Sequence, residues 1–295
     1  MAKTKIEWTQ FSWNPVTGCT PCSLGCTHCY AKRMARRLAG RHGYPEAPHH
    51  FDVTLHPDRL DIPLRRKKPT IYFVCSMGDL FHEDVLEPFI FRVLKVTRDT
   101  PQHTYQILTK RPGRMAPVMC EYYAKLRAAY GSKAEEPQRN LWLGVSVENQ
   151  ATADERREYL ERCPAAVKFV SYEPALGPVD WTGWEFVSQI ISGGESGPGA
   201  RPSHPDWHRG TRDFCQENGI AYFFKAWGAW MPYKNEEHKS TLSTWQGRTN
   251  WGSRIRFMHV SGSCDPSYKE TVTMIRVGKK RAGHLLDGRA WRESP

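Results

Sequence analysis

Apolar runs of strand length recur along the chain: Ile71–Cys75, Tyr105–Leu108, Leu141–Val145, Val167–Val170, Gln189–Ile191 and Ile220–Phe224. They are continuous, not alternating, which is the pattern of strands covered on both faces, as in a parallel sheet. Between them lie segments of helical length: Glu87–Arg98, Arg114–Tyr130, Thr152–Arg162 and Trp207–Asn218, with Pro164 and Asn218-Gly219 as stops. Strand, helix, strand in alternation predicts right-handed βαβ units. A short strand around Trp13–Val16 brings the count to about seven, which fits an α/β fold of the partial (β/α) barrel type.

In such a barrel the chemistry sits at the C-terminal ends of the strands. Polar residues gather there in succession: Ser76-Met-Gly-Asp79, Thr109-Lys110-Arg111, Ser146 with Glu148, Ser171 with Glu173, Ser192-Gly-Gly-Glu195 and Lys225. The rhythm ends near Trp230. Residues 1–229 therefore read as the barrel. Residues 230–295 read as a C-terminal appendage: a Trp- and Gly-rich irregular stretch over Met231–Ser267, a strand at Glu270–Val277 of high β-propensity, and a basic tail.

A chain of 295 residues with 39% hydrophobic and 25% charged residues suits a globular protein with a sizeable core. No stretch approaches the ~20 consecutive apolar residues needed to span a bilayer. The N-terminus lacks the apolar core of a signal peptide, so a cytoplasmic location is expected. The net charge of +11 favours a polyanionic partner, nucleic acid first. Lys32, Arg33, Arg36, Arg37 and Arg41 follow the cysteines on an expected helix, Ala31–Leu38, and Arg65-Arg66-Lys67-Lys68 precede a strand.

Of nine cysteines, Cys19, Cys22, Cys26 and Cys29 fall within a stretch of eleven residues and the others are scattered. An odd count without an export signal favours reduced thiols, some of them metal ligands. Three thiolates spaced as Cys22-x3-Cys26-x2-Cys29 on a loop can hold three irons of a [4Fe–4S] cluster and leave the fourth open. The competing reading is a structural zinc site using all four thiolates. The three-residue spacer between the two Cys-x2-Cys pairs cramps that tetrahedron.

The Cys-x3-Cys-x2-Cys loop after the first strand, with Tyr30 beside its last cysteine, resembles that of radical-SAM enzymes. Ile6-Glu-Trp-Thr9, Trp13-Asn-Pro-Val-Thr-Gly-Cys19, Gly25-Cys26, Cys29-Tyr-Ala31, Phe224-Lys225 with Trp227-Gly228, and the ending Gly283-His-Leu-Leu-Asp-Gly288 resemble more closely a phage- and prophage-associated radical-SAM-like family. That family is marked by a three-cysteine motif and is largely unassigned in function. The resemblance spans nearly the whole chain. It implies a partial barrel of the radical-SAM type, with a [4Fe–4S] cluster and S-adenosyl-L-methionine as cofactors and an external electron donor as partner. In such an enzyme the cluster reduces the sulfonium, and the resulting 5′-deoxyadenosyl radical takes a hydrogen from substrate. Many members of the family keep cysteines matching Cys19, Cys26 and Cys29, so spacing favours Cys22 and likeness favours Cys19 as the third ligand.

On the same reading, Tyr30, Ser76, Gly78 and Asp79 meet the cofactor, Asp79 at its amino group. Ser146 and Glu148 bond its ribose, and Gly193, Gly194 and Glu195 approach adenosine or substrate. Glu173 and Lys225 are costly to bury unpaired at strand ends and are the expected catalytic or substrate-binding pair. The charge and the phage association point to DNA, or a hypermodified nucleobase within it, as substrate. Two other readings are a repair lyase resembling spore photoproduct lyase and a metal-stabilised nucleic-acid-binding protein without catalysis.

Overall fold

Seven parallel strands form the central sheet of the computed structural model, which describes residues 4, 6–131, 137–233, 254–262 and 271–295. The strands are β1 (Phe11–Trp13), β4 (Ile71–Val74), β5 (Thr104–Thr109), β6 (Leu141–Ser146), β7 (Val167–Tyr172), β8 (Gln189–Gly193) and β9 (Ala221–Ala226), neighbours in that order. Helices α2 (Glu87–Asp99), α3 (Pro112–Tyr130), α4 (Gln150–Arg162) and α5 (Pro205–Glu217) follow β4, β5, β6 and β8, as expected of a βαβ chain. β1 and β9 are edges that do not pair with each other, so the barrel is partial. Between β1 and β4 the chain makes a two-stranded ladder of β2 (Val16–Thr17) and β3 (Thr54–Leu55), with the cysteine segment and α1 (Tyr30–Leu38) between them. Strands of two residues carry no periodicity, and the apolar pattern does not announce them.

Local chemistry starts and stops these elements where the sequence places the signals. Asn149 caps α4: its side-chain oxygen accepts from the Thr152 N–H at 3.1 Å, and Thr152 Oγ1 accepts from the Asn149 N–H at 3.1 Å. Pro112 and Pro205 open α3 and α5, where a missing N–H costs nothing. Gly219, at φ +67, turns the chain out of α5 into β9.

Alternation along the strands divides the core in two. Tyr72, Val74, Ile107, Leu143, Val145, Val170 and Phe224 pack outward beneath the helices, with Val93, Leu94, Met115 and Met119 against them. Phe169, Ile191 and Phe223 point the other way, into the barrel, where Trp8, Leu108 and Trp142 join them. Gly144 makes room there, since a Cβ would lie 2.6 Å from the Phe169 ring. The same inward parity continues to Ser146, Ser171, Glu173, Gly193 and Lys225. Their position at the barrel mouth is therefore a consequence of strand geometry.

The C-terminal region adds a three-stranded antiparallel sheet in the order β10 (Trp230–Pro232), β12 (Val272–Arg276), β11 (Ile255–Met258), then the short α6 (Lys279–Ala282). Of the expected irregular stretch, residues 234–253 and 263–267 lie outside the described residues, as does Glu270 of the expected strand. The final segment returns to the barrel. The Phe224 N–H donates to the Trp291 carbonyl at 3.1 Å, and the Glu293 N–H to the Tyr222 carbonyl at 3.2 Å. This pairing covers the otherwise open edge of β9. No helix among the described residues is long and apolar enough to cross a membrane.

Behind β8, His208 of α5 is buried between two hydroxyls, Ser192 Oγ at 2.6 Å from Nδ1 and Ser203 Oγ at 2.9 Å from Nε2. Burial pushes His208 down to about 3, and it also lowers His56 to about 4. Both histidines are thus neutral in the fold, while the unfolded chain protonates them near the ordinary value of 6.5. Their contribution to stability is complete above that value and is lost as pH falls through the window below it. Urea unfolding should lose up to about 1.4 kcal/mol per pH unit per histidine between pH 6 and 4. The variant His208→Gln should flatten that slope; an unchanged slope would contradict the assignment.

Candidate active site

A cavity of about 600 Å³ opens at the C-terminal ends of the strands and receives side chains from nearly all of them. Its upper wall is the cysteine loop. Gly18, at φ +83, turns the chain out of β2 against the Asp52 carbonyl, which a Cβ would meet at 2.1 Å. Leu24–Cys26 then form a single 3₁₀ turn, and the Cys29 N–H donates to the Cys26 carbonyl at 3.2 Å just before α1 begins. Cys19, Cys22, Cys26 and Cys29 all line the cavity.

Three of the four thiols share one neighbourhood. Arg111, at the end of β5, aims Nη1 at Cys19 Sγ, 3.4 Å away, and at Cys22 Sγ, 3.9 Å away, while its Nη2 holds the Thr20 carbonyl at 3.1 Å. A hydrogen bond from Cys22 lowers Cys26 to about 4, and the same bond raises Cys22. Burial, with the charge of Asp79, pushes Cys19 up to about 11. Cys29 packs instead with Leu38 and Phe51 against Ala31, Ala35, Tyr44 and Met77 at the root of α1.

The loop is seated on a carboxylate. Glu148, just beyond β6, has no exposed surface, and its oxygens accept from Ser23 Oγ at 2.9 Å, from Arg156 Nη1 at 3.1 Å and from Lys110 Nζ. Gly25 lies directly against it: a Cβ there would stand 2.5 Å from Glu148 Oε1. The other side of the loop is braced by Glu195. Its carboxylate accepts from Arg201 Nε at 2.9 Å and Nη2 at 2.7 Å and lies 3.2 Å from His28, while Arg201 also donates to the Leu24 carbonyl at 3.0 Å.

The structure thus puts several expected cofactor ligands into bonds with the protein itself. Asp79 accepts from Thr109 Oγ1 at 2.8 Å and from the Phe81 and Lys110 N–H groups at 3.0 and 3.1 Å. Ser76 donates to Asn14 Oδ1 at 3.2 Å, and its carbonyl accepts from the Tyr30 hydroxyl. Gly78 rests on Gly18, whose carbonyl oxygen a Cβ would meet at 2.8 Å. Gly194 donates to the Ala226 carbonyl at 2.9 Å, and Gly193 accepts from the Ala175 N–H at 3.0 Å. Both Asp79 oxygens carry two such bonds, so a ligand role there would require one to be given up. Ser146 lines the cavity beside Ser171, its register partner on β7. Lys225 Nζ lies 2.6 and 2.8 Å from the two oxygens of Glu173, across the cavity floor.

A family model described as "Protein of unknown function (DUF5131)" matches residues 3–295. The chain belongs to that family. No curated protein matches it in sequence. Solved structures similar to it include a mutant of spore photoproduct lyase with bound AdoMet and dinucleoside spore photoproduct, at TM-score 0.44 and 9% identity, covering 91% of this chain and 68% of that one. A second mutant of the same lyase gives TM-score 0.46 and 10% identity over 95% of this chain and 72% of that one.

The donor set of this DUF5131 chain fits an iron–sulfur cluster. Thiolates are the soft ligands such clusters take, and their negative charge has Arg111 directly against it and Lys110 close by. Among the described residues, no three His, Cys, Asp or Glu side chains are drawn together as a site for a single ion. Sequence reasoning gave no role to Arg156, Arg201 or Asn14, which anchor the site, and read Lys279, which lines it, as part of a solvated basic tail. Arg156 follows Glu148 by two helical turns, a weak signal. Arg201 lies six residues after Glu195 and Asn14 five before Cys19, but neither spacing follows a helix or strand period that would mark its partner.

Proposed function

We propose that this protein is a radical-SAM enzyme acting on a nucleobase-bearing substrate, its cluster held by the cysteine loop at the mouth of the partial barrel. The observation that carries this reading is the convergence of Cys19, Cys22, Cys26 and Cys29 on one cavity at the C-terminal ends of seven parallel strands. When bound, a [4Fe–4S] cluster with S-adenosyl-L-methionine supplies one-electron cleavage and a carbon radical that removes hydrogen from substrate. The chain's own residues provide the setting. Arg111 offsets thiolate charge, Ile6, Trp8 and Phe73 keep the interior dry, and the Glu173–Lys225 pair offers the substrate polar contacts.

Anaerobically reconstituted protein should form 5′-deoxyadenosine from S-adenosylmethionine and dithionite. Reconstituted protein that yields none would remove the reading. The substrate class rests on charge and placement. Lys32, Arg33, Arg36 and Arg37 lie on α1, directly after the cysteines, and Tyr30 and Met34 of the same helix are exposed at the cavity. Single-stranded DNA should therefore bind with a steep salt dependence, its affinity falling by ~10-fold or more between 50 and 200 mM salt. Fluorescence anisotropy across that range checks this, and a flat response or absent binding at low salt would contradict it.

A further inference from the structure

Of the three acids that line the cavity among the described residues, two are bonded to the protein: Asp79 by Thr109 and two backbone N–H groups, and Glu195 by Arg201 with His28 beside it. Glu173 and Lys225 differ. Their carboxylate and ammonium bond to each other, and 24% and 18% of the two side chains remain exposed to the cavity. An ion pair in this position presents an acceptor and a donor side by side, and those bonds can be exchanged for equivalent ones with a ligand.

The surrounding wall narrows the ligand. Trp8 and Phe73 face the cavity edge to face, with ring centroids 4.7 Å apart, beside Ile6 and Leu108. A flat apolar ring suits that wall, and stacking on aromatic side chains is how unpaired bases are held. Lys279, from α6, lines the same cavity with no side-chain partner among the described residues, a free cation at its rim. Ring, polar edge and anion together describe a nucleotide.

We propose that Glu173 and Lys225 open their mutual pair to hold the hydrogen-bonding edge of a nucleobase, the carboxylate accepting from a ring or exocyclic N–H and the ammonium donating to the adjacent carbonyl or ring nitrogen. This rests on the reading that the cavity is the active site. Two sources could supply such an edge, a base of the nucleic-acid substrate or the adenine of the cofactor, and one experiment separates them.

Reconstituted protein, without reductant, is titrated with a labelled single-stranded oligonucleotide, with an abasic strand of the same length, and with S-adenosylmethionine. Three forms are compared: wild type, the neutral pair E173Q/K225Q, and the exchanged pair E173K/K225E, which keeps the ion pair but reverses its polarity. Wild type should prefer the base-bearing strand by at least about tenfold, the worth of one well-made base contact. Both variants should lose that preference while binding the abasic strand as before, which assigns the site to a substrate base. Loss confined to S-adenosylmethionine affinity, again by about tenfold, assigns it to adenine. Variants that fold, by an unchanged melting transition, and alter neither affinity overturn the proposal. Since no reduction is involved, that failure is distinct from failure of the wild type to cleave S-adenosylmethionine.

Discussion

Serine at Cys26 should leave anaerobically reconstituted protein colourless and reduce its 5′-deoxyadenosine formation to the level seen without protein. The Cys26 thiol is lowered to about 4 by the hydrogen bond from Cys22, whereas burial raises Cys19, and a thiolate is the form that binds metal. Cys29→Ser should behave in the same way, because its position at the start of α1 fixes the far end of the loop. The informative contrast is between the other two. Cys19 is half-buried at the end of β2, with Arg111 Nη1 3.4 Å from its sulfur, the kind of hydrogen bond that tunes a cluster ligand. Cys22 is exposed, with Arg111 Nη1 farther off, at 3.9 Å. Cys19→Ser should therefore lose iron, while Cys22→Ser retains most of it. The opposite order, read by iron and sulfide content, would move the third ligand to Cys22.

Glutamine at Glu148 should have the second largest effect, through the loop and not through substrate. The carboxylate is the charge partner of half-buried Lys110 and of buried Arg156 Nη1, so its loss leaves Arg156 with only the longer contact of its Nε to exposed Glu155, at 3.8 Å. Breaking a buried pair in this way costs about 3–5 kcal/mol. The loop also weakens its tie through Ser23. Support of this kind around a metal site is worth about 10–100-fold in metal affinity. Glu148→Gln should accordingly lower the urea midpoint of the metal-free protein and its iron retention together. Gly25→Ala should displace the loop from the other side, since its methyl group would overlap Glu148. An E148Q protein with unchanged midpoint and iron content would show that the seat carries no weight.

The barrel was legible because its strands are apolar on both faces and each ends in polar residues, and because inward parity follows from strand geometry. Glu173, Lys225 and Ser146 reach the cavity for that reason alone. What was not legible is how the polar groups spend their bonds. Glu148 was expected at a ribose and sits beneath the cysteine loop, because its partners Ser23, Lys110 and Arg156 come from three separate segments brought together only by folding. Asp79 was expected at an amino group, and Thr109 and two N–H groups enclose it. Sequence tells which side chains arrive at a strand end. It does not tell which of them arrive already satisfied.

The most direct test is the electron paramagnetic resonance of the reduced, reconstituted protein, read with and without S-adenosylmethionine alongside iron and sulfide content. Four irons and four sulfides per chain, and a signal that shifts when the sulfonium compound is added, are predicted by thiols that leave one iron accessible. A silent protein carrying one zinc per chain, or a cluster signal indifferent to the added compound, would contradict it.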